Sequence, residues 1–154
     1  MYTYLILVSL LAIGGFAIQM IAARWVPRPA NLGVEQGRLA PCPASPNCVS
    51  TQAQDDQKKM APIPFSCGED EVILKIADYV KSKQRTKIIE QTTTYLGTVF
   101  RTRLIGYPDD VEFLVDGDDK VVHFRSASRI GYSDLGTNRR RMEKISKELA
   151  PLLK

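Results

Sequence analysis

The chain has 154 residues, 44% of them hydrophobic, and a formal net charge of +4. That length suits one domain of ordinary globular composition plus one short extra segment. Residues 24–67 carry five Lys/Arg against three Asp/Glu, and residues 68–154 carry sixteen against fourteen. So even a balance excludes nucleic acid from the expected partners.

Residues 1–23 contain no charged side chain. Tyr4 to Ala23, at about 1.5 Å per residue, is long enough to cross a hydrocarbon core of roughly 30 Å. Tyr2, Tyr4 and Trp25 stand at its two ends, where amphipathic rings favour the headgroup layer. A cleaved signal peptide is the alternative. Against it, no Lys or Arg precedes the apolar run, and Ile21-Ala22-Ala23 puts a bulky residue at the first small position of a cleavage site. Residues 1–25 are therefore expected to be a transmembrane anchor, with the lipid bilayer as a partner through Tyr4–Ala23. Arg24, Arg28 and Arg38 follow the span and point the domain to the cytoplasm. Cys42 and Cys48 bracket a short proline-rich loop that a disulfide can close, which points to an oxidising compartment. The two indications conflict. The cysteines tip the expectation slightly to the extracytoplasmic side, although the odd Cys67 weakens them.

Residues 26–65 read as a proline-rich linker carrying the Cys42/Cys48 loop; seven of the nine prolines lie between 26 and 67. No metal is expected. The spacing of Cys42 and Cys48 is not that of a zinc knuckle, and the single histidine, His123, is remote.

The domain is expected over 66–154. Ser66 and Glu69 have capping-box spacing, and Val72, Ile73, Ile76, Ala77 and Val80 repeat at helical intervals to about Lys83. Strand-like runs follow at 86–92, 95–105, 110–116 and 120–127. The last two form a hairpin with a two-residue loop at Asp118-Asp119. This register sets Phe113 opposite Phe124, Val115 opposite Val122 and Glu112 opposite Arg125, leaving one face uniformly apolar. A final helix places Met142, Ile145, Leu149 and Leu152 on one stripe. The fold class is α+β: a four-stranded antiparallel sheet with two flanking helices, preceded by an N-terminal transmembrane helix.

The chemistry concentrates in RSASRIGYSDLGTNRRR, residues 125–141, which holds five arginines, two glycines and Asp134. Arg125 and Ala127 share one strand face, Ser126 and Ser128 the other. Thr137 or Asn138 can cap the last helix. A helix start beside Arg129, Arg139, Arg140 and Arg141 has the makings of an anion site. Asp109, Asp110 and Glu112 on the neighbouring strand can instead satisfy Arg125 and Arg129 internally, and Asp134 can pair with an arginine or cap the helix. Both readings stay open. A Ser/His hydrolase lacks the Gly-x-Ser-x-Gly elbow, and its one imidazole, His123, lies in a strand opposite Leu114. No Gly-x-x-x-x-Gly-Lys or Gly-x-Gly-x-x-Gly loop occurs, so no nucleotide cofactor is expected.

CPASPNCVS (42–50), YPDDVEF (107–113) and RSASRIGYSDLGTNRRRMEKI (125–145), in that order, resemble the bacterial and plastid proteins grouped as domain of unknown function 1499. The resemblance runs from about Leu39 to Leu153. It implies a membrane-associated or exported protein for which no catalytic activity is established. The family pattern falls on Cys42, Pro43, Pro46, Asn47 and Cys48, on Asp109, Asp110 and Glu112, and on Arg125, Ser126, Ser128, Arg129, Gly131, Ser133, Asp134, Gly136, Asn138 and Arg139. No role for any of them comes with the resemblance.

The expected function is therefore that of a membrane-anchored, non-enzymatic protein of the cell envelope. It would bind a membrane protein partner or a small anionic ligand through residues 125–141 and their acidic neighbours. The alternative is an enzyme that holds an anionic substrate with Arg129 and Ser133 and uses Asp110 or Asp134 as acid/base.

Overall fold

The structure, a computed structural model, describes residues 2–154 apart from the side chains of Tyr2, Thr3, Gln19, Ala23 and Arg24. The roles expected of the Tyr2 and Arg24 side chains therefore lie outside the described residues. α1 (Tyr2–Arg24) is apolar all round: Tyr4–Ala22 reaches a mean hydropathy of 2.4 and none of it is buried in the fold. It is long and apolar enough to cross a membrane, a property that a signal sequence shares.

The remaining elements in chain order are β1 (Val34–Glu35), β2 (Arg38–Leu39), β3 (Cys48–Ser50), β4 (Ile63–Pro64), α2 (Glu69–Lys81), β5 (Thr86–Gln91), β6 (Tyr95–Arg101), β7 (Pro108–Asp116), β8 (Val121–Ser128) and α3 (Thr137–Leu149). The main antiparallel sheet has six strands rather than four, in the order β3-β8-β7-β6-β5, with β4 also on β8. β3 and β4 lie along the same outer edge of β8. Cys48–Ser50 faces Arg125–Ala127, and Ile63–Pro64 faces Val121–Val122. Both additions come from the proline-rich segment, so residues 26–65 are not a free linker. Strands of two or three residues are too short to show a period of two, and Pro64 is tolerated because it sits on an edge.

The β7–β8 register is the one argued from the faces: Phe113 faces Phe124, Val115 faces Val122 and Glu112 faces Arg125. Asp116 Oδ1 accepts from the N–H groups of Asp118 and Asp119, and Lys120 takes a positive φ of 53° to close the turn. β6 stops at Arg101, four residues early. There the N–H of Thr102 bonds to Tyr107 O and its hydroxyl accepts from Tyr107 N–H, folding 102–107 into a loop.

α2 begins two residues later than the capping box requires. Ser66 donates its N–H to Leu153 O, Gly68 takes the N-cap position, and Glu69 leans over the β7–β8 turn toward Lys120. The acidic first turn, Glu69-Asp70-Glu71, still suits the positive end of the helix dipole. In the last stripe Leu153 replaces Leu152. α3 ends at Leu149, and the turn after it buries Leu153 while leaving Leu152 about half exposed.

The two faces of the sheet are covered differently. Val72, Ile73, Ile76 and Val80 of α2 and Met142, Ile145 and Leu149 of α3 pack on Leu96, Val111, Phe113, Val115, Val122 and Phe124. The opposite face has only a small apolar cluster, Leu39, Tyr95 and Leu114. Residues 26–42 run across that face as a strap. Gly97 makes room for it, since a Cβ there would stand 2.9 Å from the Tyr95 hydroxyl and 3.3 Å from the Arg28 guanidinium.

Candidate functional site

Because adjacent strand residues point to opposite faces, Asp109 and Asp110 of β7 enter two separate clusters. The pairing Asp109–Ser128, Asp110–Ala127, Glu112–Arg125 brings both ends of the 125–141 motif beside them.

On the strap face, Glu112 Oε2 accepts from Arg125 Nη1 at 3.1 Å. Its Oε1 accepts from the Tyr95 hydroxyl and from the Gly33 N–H, each at 2.8 Å. The pair is nearly dry, with side-chain exposures of 6% for Arg125 and 1% for Glu112. Burial, then the Glu112 charge beside it, pushes the Tyr95 phenol above its usual range. Next along the strand, Arg129 holds Asp110 with two bonds: Nε to Oδ2 at 2.8 Å and Nη2 to Oδ1 at 2.6 Å. Its third nitrogen, Nη1, donates to Val26 O at 3.0 Å. Two carboxylates thus serve two arginines and, directly or through Arg129, two backbone groups of the strap.

On the helix face, Asp109 Oδ2 pairs with Arg141 Nη2, and the Arg141 guanidinium lies over the Phe100 ring. Arg141 Nη1 donates to Asn138 Oδ1 at 2.6 Å and to Ser126 Oγ at 3.3 Å, while Ser126 Oγ donates to Asn138 Oδ1 at 2.6 Å. The Asn138 amide nitrogen reaches Asn47 O, Ser128 Oγ and Asp134 Oδ2. Asp134 caps α3: its Oδ1 accepts from Gly136 N–H and its Oδ2 from Asn138 N–H at 2.6 Å. Of the three residues expected as possible caps, Thr137, Asn138 and Asp134, it is Asp134 that serves: Gly136 takes the N-cap position, and the Asp134 carboxylate reaches the first-turn N–H of Asn138 from outside the helix. Asn47 donates to Gly131 O at 2.6 Å, and Gly131 can present that carbonyl because its φ is 89°. A disulfide joins Cys42 to Cys48 at the mouth of β3, next to Asn47.

The candidate residues therefore divide. Asp110, Glu112, Arg125 and Arg129 are together on the strap face; Asp109, Ser126, Ser128, Asp134 and Asn138 are together on the helix face. Ser133 and Arg139 join neither. Ser133 Oγ accepts from Leu135 N–H in an exposed turn, and Arg139 donates to the Gln57 and Lys59 carbonyls. Three partners lie outside the expected site residues: Arg141, read only as one of the arginines beside the helix start, Asn47, read only as part of the family pattern, and Tyr95. Arg141 had a signal, since it lies three residues after Asn138 and one before Met142, at the inward edge of the stripe. Asn47 had only its place in the family pattern and Tyr95 had no signal, because the tertiary pairing of β3 and β6 is what brings them in. His123 Nδ1 meets the Thr51 hydroxyl at 3.0 Å, but that hydroxyl is itself buried against the backbone of Phe124. Among the described residues no group of three His, Cys, Asp or Glu side chains is placed to hold a metal.

Chemically, both clusters consist of charges neutralised by neighbours in a nearly water-free setting. Two atoms of the clusters are left over: Asp109 Oδ1 and Arg125 Nε are buried without a hydrogen-bond partner among the described residues. Neither lines the cavity of about 760 Å³ between residues 30–42 and 50–58, where Arg38 and Lys58 are bonded to backbone carbonyls.

All the residues of both clusters except Val26, Gly33 and the α1 exit lie within 38–149. No curated protein and no solved structure matches the chain. The family model described as a protein of unknown function (DUF1499) matches residues 38–149, and the chain belongs to that family.

Proposed function

We propose that the chain is a single-pass membrane protein of the cell envelope. Its α+β part is a non-enzymatic binding domain, held hard against its anchor on the oxidising side and serving a membrane protein partner or a small anionic ligand there. The observation that carries this reading is Arg129, which grips Asp110 with two nitrogens and the Val26 carbonyl with the third. The most distinctive motif is thereby spent on fixing the chain just beyond α1 to the sheet. The Cys42–Cys48 disulfide, which lies on the same strap, supports the oxidising side. An acid/base enzyme built on Arg129 and Asp110 finds less support, since both are committed to each other at 9% and 3% side-chain exposure. Ser133 and Asp134 are likewise engaged with backbone N–H groups. Binding capacity is left to Arg103 and Arg140, exposed and without a side-chain partner among the described residues.

The test is extraction and labelling of the full chain in cells. The chain should stay with membranes washed at alkaline pH, and Cys42 and Cys48 should take thiol reagent only after reduction. Release by alkali sinks the anchor; free thiols before reduction sink the oxidising side. For binding, folded Arg103→Gln/Arg140→Gln protein should lose partners that the parent chain retains on purification. A folded variant that keeps them all removes the binding role from these arginines.

A further inference from the structure

One end of the sheet carries a surface the fold does not use. Arg101 faces Pro108, Asp109 faces Ser128 and the Arg129 N–H bonds to Pro108 O. The β6–β7 loop (102–107) and the β8–α3 connection (129–136) therefore leave the sheet at the same end. Val26 is tied there too, through Arg129. From these segments project Leu104, Tyr132, Leu135 and Trp25, exposed by 79%, 77%, 83% and 82%, more than any other large hydrophobic side chain described. Arg103 on the same loop, Arg101 at the end of β6 and Arg140 in the first turn of α3 are exposed beside them. Arg140 folds back over the connection, its Nη1 3.0 Å from where a Cβ on Gly136 would stand. Within residues 98–108 and 129–141 the one acid is Asp134, spent on capping α3. Asp109 and Asp110, which border this end, are buried and paired. What faces solvent is apolar and positive.

The anchor decides what covers it. α1 ends at Arg24 and the sheet holds Val26, so a single residue, Trp25, within at most about 7 Å of chain, separates helix from domain. The headgroup layer on each side of a bilayer is itself roughly 5–8 Å deep. A domain on so short a tether has no room to stand clear of the surface. Leu, Tyr and Trp interleaved with arginines is also the composition that lipid interfaces favour.

We propose that this end of the domain sits in the headgroup layer of the membrane α1 crosses. Leu104, Tyr132 and Leu135 reach the acyl boundary, and Arg103 and Arg140 meet anionic headgroup phosphates, which makes lipid the anionic ligand of the two arginines named above. The inference rests on the anchoring reading, and the experiment separates the two. The full chain carrying Trp25→Phe together with Leu135→Trp is reconstituted into phosphatidylcholine/phosphatidylglycerol vesicles, with Leu152→Trp in the same background as a control outside the patch. Flotation with the vesicles reports the anchor. Quenching by lipids with brominated acyl chains reports contact with the bilayer. The 135 probe should be blue-shifted and strongly quenched, and the 152 probe should not be. Adding Arg103→Gln or Arg140→Gln should weaken docking about five-fold for each arginine removed, and only with anionic lipid present. Failure to float overturns the anchor and this inference with it. Flotation with equal, weak quenching at 135 and 152 overturns the inference alone. A blue-shifted but unquenched 135 probe means protein rather than lipid covers the patch, which also overturns it.

Discussion

Under α2 and α3 the sheet presents Phe113, Phe124 and their aliphatic neighbours; under residues 26–42 the same strands present Asp110, Glu112, Arg125 and Arg129. A helix satisfies its own backbone and offers an aliphatic stripe, so the face beneath it needs only apolar surface. The strap has two strands of two residues each and one buried aliphatic side chain, Leu39. Its backbone groups, such as Gly33 N–H and Val26 O, arrive unpaired, and buried backbone groups require partners. The sheet supplies them directly from Glu112 and through Asp110 and Arg129. The acidic β7 motif is thus explained by what covers it: an irregular segment whose closure depends on directional bonds.

The contrast can be broken from either side. The largest effect is expected from Phe124→Ala, which empties a fully buried site in the helix-side core. It should lower unfolding free energy by about 4 kcal/mol. Chemical denaturation should show this as one cooperative transition shifted for the whole domain; protection lost only on the strap would contradict the assignment of core and cover.

Glu112→Ala attacks the other face. It leaves the Arg125 charge, the Tyr95 hydroxyl and the Gly33 N–H without their acceptor in a nearly dry site. Removing one member of a buried pair should cost about 3 kcal/mol. Hydrogen exchange should accelerate first at Gly33 and its neighbours while the β7–β8 hairpin stays protected. The double variant Glu112→Leu/Arg125→Met should regain part of the loss, because an apolar pair leaves no stranded charge.

Cys42→Ala/Cys48→Ala removes the covalent clamp from the strap. Closing so short a loop, with a sequence separation of 6, is worth about 2 kcal/mol. The loss should appear under oxidising conditions and vanish when parent and variant are compared in reductant. A difference that persists in reductant would mean the two side chains act by packing.

The same contrast explains what was legible in the sequence. The β7–β8 register was readable because alternation pins it: moving the two-residue loop back to Gly117-Asp118 would have put Lys120 opposite Val115. From that register alone, Glu112 and Arg125 had to be neighbours. The strap was not readable. Val34–Glu35, paired locally with Arg38–Leu39, is too short for any period, and Ile63–Pro64, equally short, pairs with an edge formed far away in the chain. The Ser66/Glu69 capping box was legible but wrong. Ser66 is held by Leu153 O instead, a tertiary bond that local spacing does not reveal.

The smallest expected effect tests whether charge pairing matters where water is present. Glu148 of α3 receives Lys83 Nζ and the Tyr79 hydroxyl, each at 2.7 Å, bridging the two helices on their outer side. The Lys83 bond first, and the Tyr79 bond second, hold the Glu148 carboxyl below its usual range. Burial first, and then Glu148, push the Tyr79 phenol up. A depressed carboxyl contributes stability that is present above its unfolded value of about 4.3 and lost as pH falls through the lower folded value. A raised phenol contributes stability that is present below about 10 and lost as pH rises from there. The advantage of the parent chain over Glu148→Gln should therefore be flat from roughly pH 5 to 9 and close on the acid side. Lys83→Met should shrink it across that whole plateau. Thermal melts over the pH series measure this directly, and an advantage that grows on acidification would reverse the assigned sign. Because these groups are partly solvated, added salt should erode their contribution, while the Glu112–Arg125 pair, sealed beneath the strap, should be indifferent to it.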